Sequence, residues 1–285
     1  MCKVGDVMLK IFVDSGSSIK QEEKQQIGVE ILPLRYLLGE TEYEDGIDLN
    51  LDQFYQIFIG EGLFPKTSLP NLDTAKQMVE QYTNNGDQVL IITISSKISG
   101  TFSAIKTLFE DNSNVRVVDS LSAVGGMRIL VQEAQKHADK PIDEVVNILD
   151  ALKMKIKVVA IPETLDYLLK GGRLSRKEWL IGSILKIKPI IALSQTGVKV
   201  VDKKIGTKKA MSYLANALET FGCDLNYPIV PSYTYNAGNL DKLISITDEK
   251  YHKNMIEYDN LDPAIACHWG PNAYGYIFVG DDNIL

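Results

Sequence analysis

The sequence predicts an α/β protein with an N-terminal parallel-sheet α/β domain and a C-terminal α+β domain. In the first half, short apolar strands alternate with helical patterns, which is typical of a parallel sheet covered on both faces. In the second half, two apolar runs flank the turn SQTG, which indicates a β-hairpin. The length of 285 residues suits two domains, and we predict them at residues 8–155 and 156–285.

The N-terminal domain is predicted to contain four strands with helices between them. Asn50 and Gln53 form a capping-box pattern, so a helix should begin there and bury Phe54, Tyr55 and Phe58. Further helices are predicted at about 71–84, from Thr101, and at about 127–137. The strands are predicted at residues 10–14, 30–38, 88–94 and 115–119.

The C-terminal domain is predicted to mix hairpins with helices. Pro141 should open a helix that leads into it, and Gly171-Gly172 should end a helix that starts near Thr164. A long helix is expected at 207–221. Strands are predicted at residues 157–161, 188–193, 198–204, 227–235 and 274–280.

Composition excludes several classes of protein. The net charge of −7 argues against a nucleic-acid-binding protein. The three cysteines have no metal-ligand spacing, so we expect no metal site and a reducing compartment. No apolar stretch is long enough to span a membrane. These observations together predict a cytoplasmic protein.

Positive charge is concentrated in one part of the chain. Residues 153–209 carry 14 Lys and Arg against 4 Asp and Glu, a local charge of +10, whereas the remainder carries −17. Such asymmetry indicates either a docking surface for an acidic partner or ordinary solvated faces.

The stretch SSKISGT follows the apolar strand at 88–94 and is rich in hydroxyl groups. In open α/β sheets, ligands bind beyond the carboxyl ends of strands, where helix N-termini offer free N–H groups. Ser95, Ser96, Ser99 and Thr101 add hydroxyl donors, and Gly100 would let a ligand approach the backbone. The pattern favours an anion site over N-capping by Ser99 alone.

Two further polar loops could lie at the same edge of the sheet. The first is DSGSS at residues 14–18, and the second contains Thr67 and Ser68 just before a helix. Either loop alone would be interpreted as a cap or a turn. No phosphate-loop, dinucleotide-binding, nucleophile-elbow or HExxH motif occurs, so we expect no cofactor. His268 lies beside a Gly-Pro turn, where most histidines are packing residues.

Five short motifs are spread over nearly the full length of the chain. They are TS-x-P, SS-x-x-SGT, GGR-x-S, IKPI and, near the end, HWGP. In this combination the sequence resembles the DegV family of bacterial fatty-acid-binding proteins. Residues 1–7 extend beyond the usual start of the family, which makes Met8 a candidate initiator.

The resemblance implies a non-catalytic carrier. A family member binds one long-chain fatty acid between its domains, holds the carboxylate with hydroxyl groups, and presents it to a fatty acid kinase that forms an acyl phosphate for phospholipid synthesis. Transient proximity to a membrane fits this role, but insertion does not. By motif, the carboxylate site would comprise Thr67, Ser68, Ser96, Ser99, Gly100, Thr101 and His268, and Arg173 would serve in kinase docking.

Two alternative functions remain open from the residues. The first is a serine hydrolase or acyltransferase with Ser99 or Ser96 as nucleophile and His268 as base. The second is a phosphate- or nucleotide-binding regulator that uses the same loops.

Overall fold

The computed structural model describes residues 8–182, 187–257 and 259–281. Residues 1–7, with Cys2, and Leu185 and Lys186, which directly precede the IKPI motif, lie outside this part of the chain. Within it, no helix is long and apolar enough to cross a bilayer. The strands are β1 Leu9–Asp14, β2 Val29–Leu32, β3 Arg35–Leu38, β4 Thr41–Glu44, β5 Lys66–Ser68, β6 Gln88–Thr93, β7 Val115–Asp119, β8 Ile156–Ile161, β9 Ile187–Ser194, β10 Gly197–Ile205, β11 Val230–Tyr233, β12 Asp259–Asn260 and β13 Tyr274–Val279.

Eleven α-helices connect or flank the described strands, and short 3-10 turns occur at Ser15–Ser17 and Glu249–Asn254. The helices are α1 Lys24–Ile27, α2 Leu51–Gly60, α3 Leu72–Thr83, α4 Thr101–Leu108, α5 Gly125–Lys136, α6 Ile142–Lys153, α7 Asp166–Lys170, α8 Arg176–Gly182, α9 Thr207–Thr220, α10 Gly238–Ile246 and α11 Pro263–Trp269.

The first sheet is parallel, with strand order β2-β1-β6-β7. Its strands carry apolar residues on both faces because both faces are covered. Ile11 and Leu90 pack on one face, and Phe12 and Ile91 pack on the other. The prediction of a parallel-sheet domain is confirmed, and the loops after β6 and β7 lie at its carboxyl edge.

The second sheet has six strands in the order β10-β9-β8-β13-β11-β12, and all its pairs except β11-β12 are antiparallel. The predicted hairpin around SQTG is β9-β10. One face packs against α9 and α10, and the other shares a single apolar cluster with the parallel sheet. The boundary predicted near residue 155 falls between α6 and β8 and stays a prediction.

The prediction of one strand over residues 30–38 is wrong. Pro33 and Leu34 separate β2, which joins the parallel sheet, from β3, which joins a third sheet of order β4-β3-β5. Proline lacks a backbone N–H and cannot continue a central ladder, so the chain changes sheet there. This small antiparallel sheet was missed because β4 and β5 are short, polar and largely exposed.

The capping box at the start of α2 is confirmed. Asn50 accepts from the backbone of Gln53, and Gln53 accepts from the backbone of Asn50. The cap fixes where the helix begins and so directs Phe54 and Phe58 toward α11 and the third sheet. This aromatic cluster supports the segment that carries His268.

Candidate functional site

A cavity of about 260 Å³ lies between the two large sheets. The loops after β6 and β7 supply Ile98 and Val124, and the antiparallel sheet supplies Val158, Leu193 and Ile277. Val124 has a φ of 46°, which is strained for a β-branched residue, and its N–H is held by the carbonyl oxygen of Gly16. The cavity is therefore mainly apolar, and loops of the parallel sheet form part of its wall.

Polar groups line one region of this cavity. They come from the edge strand β5, the loop before α4, the turn after α7 and the end of α11. Five of the residues predicted for the carboxylate site line the cavity here: Thr67, Ser68, Ser99, Gly100 and His268. Arg173, which was predicted for kinase docking, lines it as well. Residues separated by as many as 201 positions in the chain meet here.

His268 contacts Thr67 directly, with 3.0 Å between Nε2 and Oγ1. Its other ring nitrogen, Nδ1, is buried and has no hydrogen-bond partner among the described residues. Burial, followed by the nearby charge of Arg173, lowers the pKa of His268 to about 3. The imidazole is thus neutral at physiological pH and acts as a hydrogen-bonding group, without positive charge.

Gly171 provides the space that His268 occupies. A Cβ atom on Gly171 would lie 2.2 Å from Nδ1 and 2.8 Å from Cε1 of the imidazole. Any larger residue would have to displace the ring. The glycine pair was predicted only as a helix stop, so this second role was missed.

Arg173 lies on the cavity wall, a position that its GGR-x-S motif does not predict. Its Nε donates to the carbonyl oxygen of Ile98 at 3.0 Å, and its Nη1 donates to that of Gly171. Burial lowers the pKa of the guanidinium, but an arginine stays charged at any physiological pH. The polar region therefore contains one permanent positive charge beside neutral hydroxyl groups.

Ser99 and Thr101 form a local pair before α4. Their side-chain oxygens are 2.9 Å apart, and Ser99 Oγ accepts from the N–H of Thr101 at 3.3 Å. Thr101 is fully buried and does not line the cavity, so it orients Ser99. Gly100 does line it, and its nearest neighbour for an added Cβ is Leu69 Cδ2 at 3.6 Å.

Two groups of predicted polar residues lie away from the cavity. Ser96 donates its N–H to Asp119 Oδ1 at 3.0 Å and is not on the wall. The loop at residues 14–18 is buried and braces neighbouring segments. Asp14 accepts from Ile94 N at 2.7 Å, and Ser15 Oγ donates to Asp45 at 2.7 Å.

A buried acidic cluster supports the N-terminus of α11. Asp45 is fully buried and accepts from Ala264 N at 2.9 Å, while Asp262 pairs with Lys20 Nζ at 2.5 Å. Burial, and then the charge of Asp262, raises the pKa of Asp45 to about 8. Because Ala264 lies one turn before His268, Asp45 fixes the helix that carries the imidazole.

The other described histidines lie elsewhere. His137 Nε2 is 3.4 Å from Glu133, and His252 Nε2 contacts the carbonyl oxygens of Ile244 and Thr247. No cluster of three potential metal ligands occurs among the described residues.

Comparison with known proteins places the chain in a family. Residues 8–281 match the DegV family, which is described as a family of uncharacterised proteins. The chain belongs to the DegV family. Two DegV domain-containing proteins of Clostridium acetobutylicum are 28% identical over 279 residues and 30% identical over 290 residues. These matches cover 94% and 95% of this chain and 98% of each relative.

Solved DegV structures share the fold. A fatty-acid-binding DegV protein from Streptococcus agalactiae superposes with a TM-score of 0.87 at 24% identity, covering 96% of this chain and 99% of that one. A fatty-acid-binding DegV protein from Thermus thermophilus gives 0.84 at 24% identity, covering 96% and 100%. The combination of a parallel-sheet domain and an antiparallel-sheet domain is thus the DegV fold.

Proposed function

We propose that this DegV protein binds a single long-chain fatty acid, with the tail in the cavity and the carboxylate at Thr67, Ser68, Ser99 and Gly100. The observation that carries the proposal is a mainly apolar cavity whose wall includes a polar region formed by hydroxyl groups, His268 and Arg173. That arrangement suits an amphiphile with one charged end. The relatives from S. agalactiae and T. thermophilus, described as fatty-acid-binding, support it.

The energetics favour such a ligand. Burying a methylene contributes about 0.8 kcal/mol, so a chain of about 15 gains on the order of 12 kcal/mol before the costs of association. The carboxylate must also be compensated, because an isolated buried charge is very costly. Hydroxyl donors and the guanidinium of Arg173 meet that need.

The geometry argues against the hydrolase alternative. A serine nucleophile needs a base within reach, yet His268 Nε2 is bonded to Thr67. Its Nδ1 meets no carboxylate among the described residues, and its lowered pKa makes it a poor base. We therefore favour a non-catalytic carrier. A phosphate-binding regulator would not explain the apolar walls of the cavity, because a phosphate group has no apolar part to bind there.

The partner that we propose is a fatty acid kinase, which would receive the carboxylate for acyl-phosphate formation. The basic stretch at residues 153–209 supports an acidic docking partner. Lys208 and Lys209 lie exposed in the first turn of α9, and that turn contains no acidic residue. Lysines there oppose the helix dipole, so stability does not account for them.

The test of the function is native mass spectrometry of the purified protein, followed by extraction of whatever co-purifies. We expect one long-chain fatty acid per chain. A protein that carries no lipid and gains no thermal stability from added fatty acids would contradict the proposal.

Replacing Ser99 with alanine is expected to weaken fatty acid binding about tenfold, because it removes a hydroxyl donor from the carboxylate. Isothermal titration with stearate measures the change. Ser96→Ala is the matched control, since Ser96 lies in the same loop but off the cavity wall. Equal affinities in the two variants would exclude Ser99 from the site.

Replacing Arg173 with alanine is expected to weaken fatty acid binding and also kinase turnover. The family resemblance alone predicts that lipid binding is spared, but Arg173 lines the cavity and bonds to Ile98 and Gly171. Acyl-phosphate formation should therefore be measured at saturating fatty acid. Normal turnover under that condition would remove Arg173 from the docking surface.

A further inference from the structure

The floor of the cavity contains a row of three small residues on adjacent strands. Ala160 on β8 lies opposite Gly275 on β13, which lies opposite Ser232 on β11. Residues directly opposite one another in antiparallel strands place their side chains on the same face. All three residues line the cavity, so the row forms a recess in the face that borders it.

The recess is bounded by larger side chains in the next row. Val158, Ile277 and Val230 occupy corresponding positions on the same three strands and belong to the apolar cluster shared by the two sheets. At Gly275 an added Cβ would lie 2.2 Å from the carbonyl oxygen of Val159. Close strand packing therefore keeps this position free of a side chain.

Ser232 is the polar member of the row. It is 5% exposed, and its Oγ has no hydrogen-bond partner among the described residues. A buried hydroxyl without a partner costs about 1–3 kcal/mol, and such groups are rare in native proteins. An alanine would fill the same position without this cost. We therefore expect the hydroxyl to have a hydrogen-bond partner inside the cavity.

We propose that Ser232 binds an oxygen-bearing group along the acyl chain, so that the preferred ligands are hydroxy or oxo fatty acids. This inference rests on the proposed fatty acid function. The Ser232 hydroxyl donates to the ligand oxygen, and the recess beside Ala160 and Gly275 accommodates the extra atom. The carboxylate is bound separately at Thr67 and Ser99.

The experiment compares stearate with a positional series of monohydroxystearates by isothermal titration, using the wild-type protein and Ser232→Ala. At one hydroxyl position, wild type should bind the hydroxy acid more tightly than stearate. Ser232→Ala should weaken that binding about tenfold and leave stearate unchanged or tighter. Ser232→Thr, which keeps a hydroxyl, should retain the preference.

Controls separate this inference from the proposed function. Ser99→Ala should weaken both ligand classes equally and preserve their ratio. If stearate binds but the ratio of affinities is the same in wild type and Ser232→Ala at every position, a buried water satisfies Ser232 and the inference is overturned. If neither ligand binds to any variant, the fatty acid function itself is wrong, and the inference falls with it.

Discussion

Replacing Gly171 with alanine is expected to reduce fatty acid affinity at least tenfold while the protein remains folded. The new Cβ would lie 2.2 Å from Nδ1 of His268, so the imidazole must move and lose its 3.0 Å contact with Thr67. The backbone at Gly171 has a φ of −72°, which alanine adopts without strain. Isothermal titration with a long-chain fatty acid measures the loss.

The control is the neighbouring glycine. Gly172 has a φ of 73°, and nothing lies within 4 Å of an added Cβ. Gly172→Ala should lower stability by about 1 kcal/mol and leave affinity unchanged. Adding Gly171→Ala to His268→Ala should cause no further loss, because the displaced ring is already absent. Additive losses in that double variant would contradict the mechanism.

Replacing Asp45 with alanine is expected to lower the free energy of unfolding by about 3 kcal/mol. The N–H of Ala264 and the hydroxyl of Ser15 both donate to the buried carboxyl group of Asp45. The change removes that acceptor and leaves both donors buried without a partner. Urea unfolding measures the difference. Asp111→Ala, at an exposed acid, should change stability by less than about 0.5 kcal/mol. A similar small effect at Asp45 would show that the cluster does not hold α11.

The buried carboxyl groups of Asp45 and Asp14 predict how stability depends on pH. Burial raises the pKa of Asp45 to about 8 and that of Asp14 to about 7, from 3.8 in the unfolded chain. The folded state therefore binds more protons than the unfolded state, and stability should fall as pH rises from about 4 to about 8. Asp45→Asn cannot ionise, so its thermal unfolding temperature should fall less over that range. An identical pH dependence in both proteins would assign the effect to Asp14 and Asp262, whose pKa values are also raised by burial.

The Asp45 cluster also shows where prediction from the sequence ended. The loop at residues 14–18 looked like a ligand loop, because serine and aspartate patterns are the same in ligand sites and in internal bracing. Its side chains instead bond to Asp45, Ile94 and the start of α11. Only contacts between distant segments distinguish these two uses.

The positions of Arg173 and Gly171 at the cavity likewise depend on contacts between distant segments. The turn after α7 was predicted from its glycines, since helix stops depend on local backbone freedom. The position of this turn against the loop before α4 depends on how the two sheets meet. There Arg173 donates a hydrogen bond to Ile98, which lies 75 residues away in the chain.

The sequence by itself determined the alternating strands and helices of the first half, the hairpin of β9 and β10, and the polar segments that contain Thr67, Ser99 and His268. These depend on hydrophobic period, capping and turn residues, which act over a few positions. The tertiary structure alone decided that β3 pairs with β4 and β5 and that Ser232, Gly275 and Ala160 form one recess. Strand pairing joins residues far apart in the chain, and no local pattern encodes which strand becomes a neighbour.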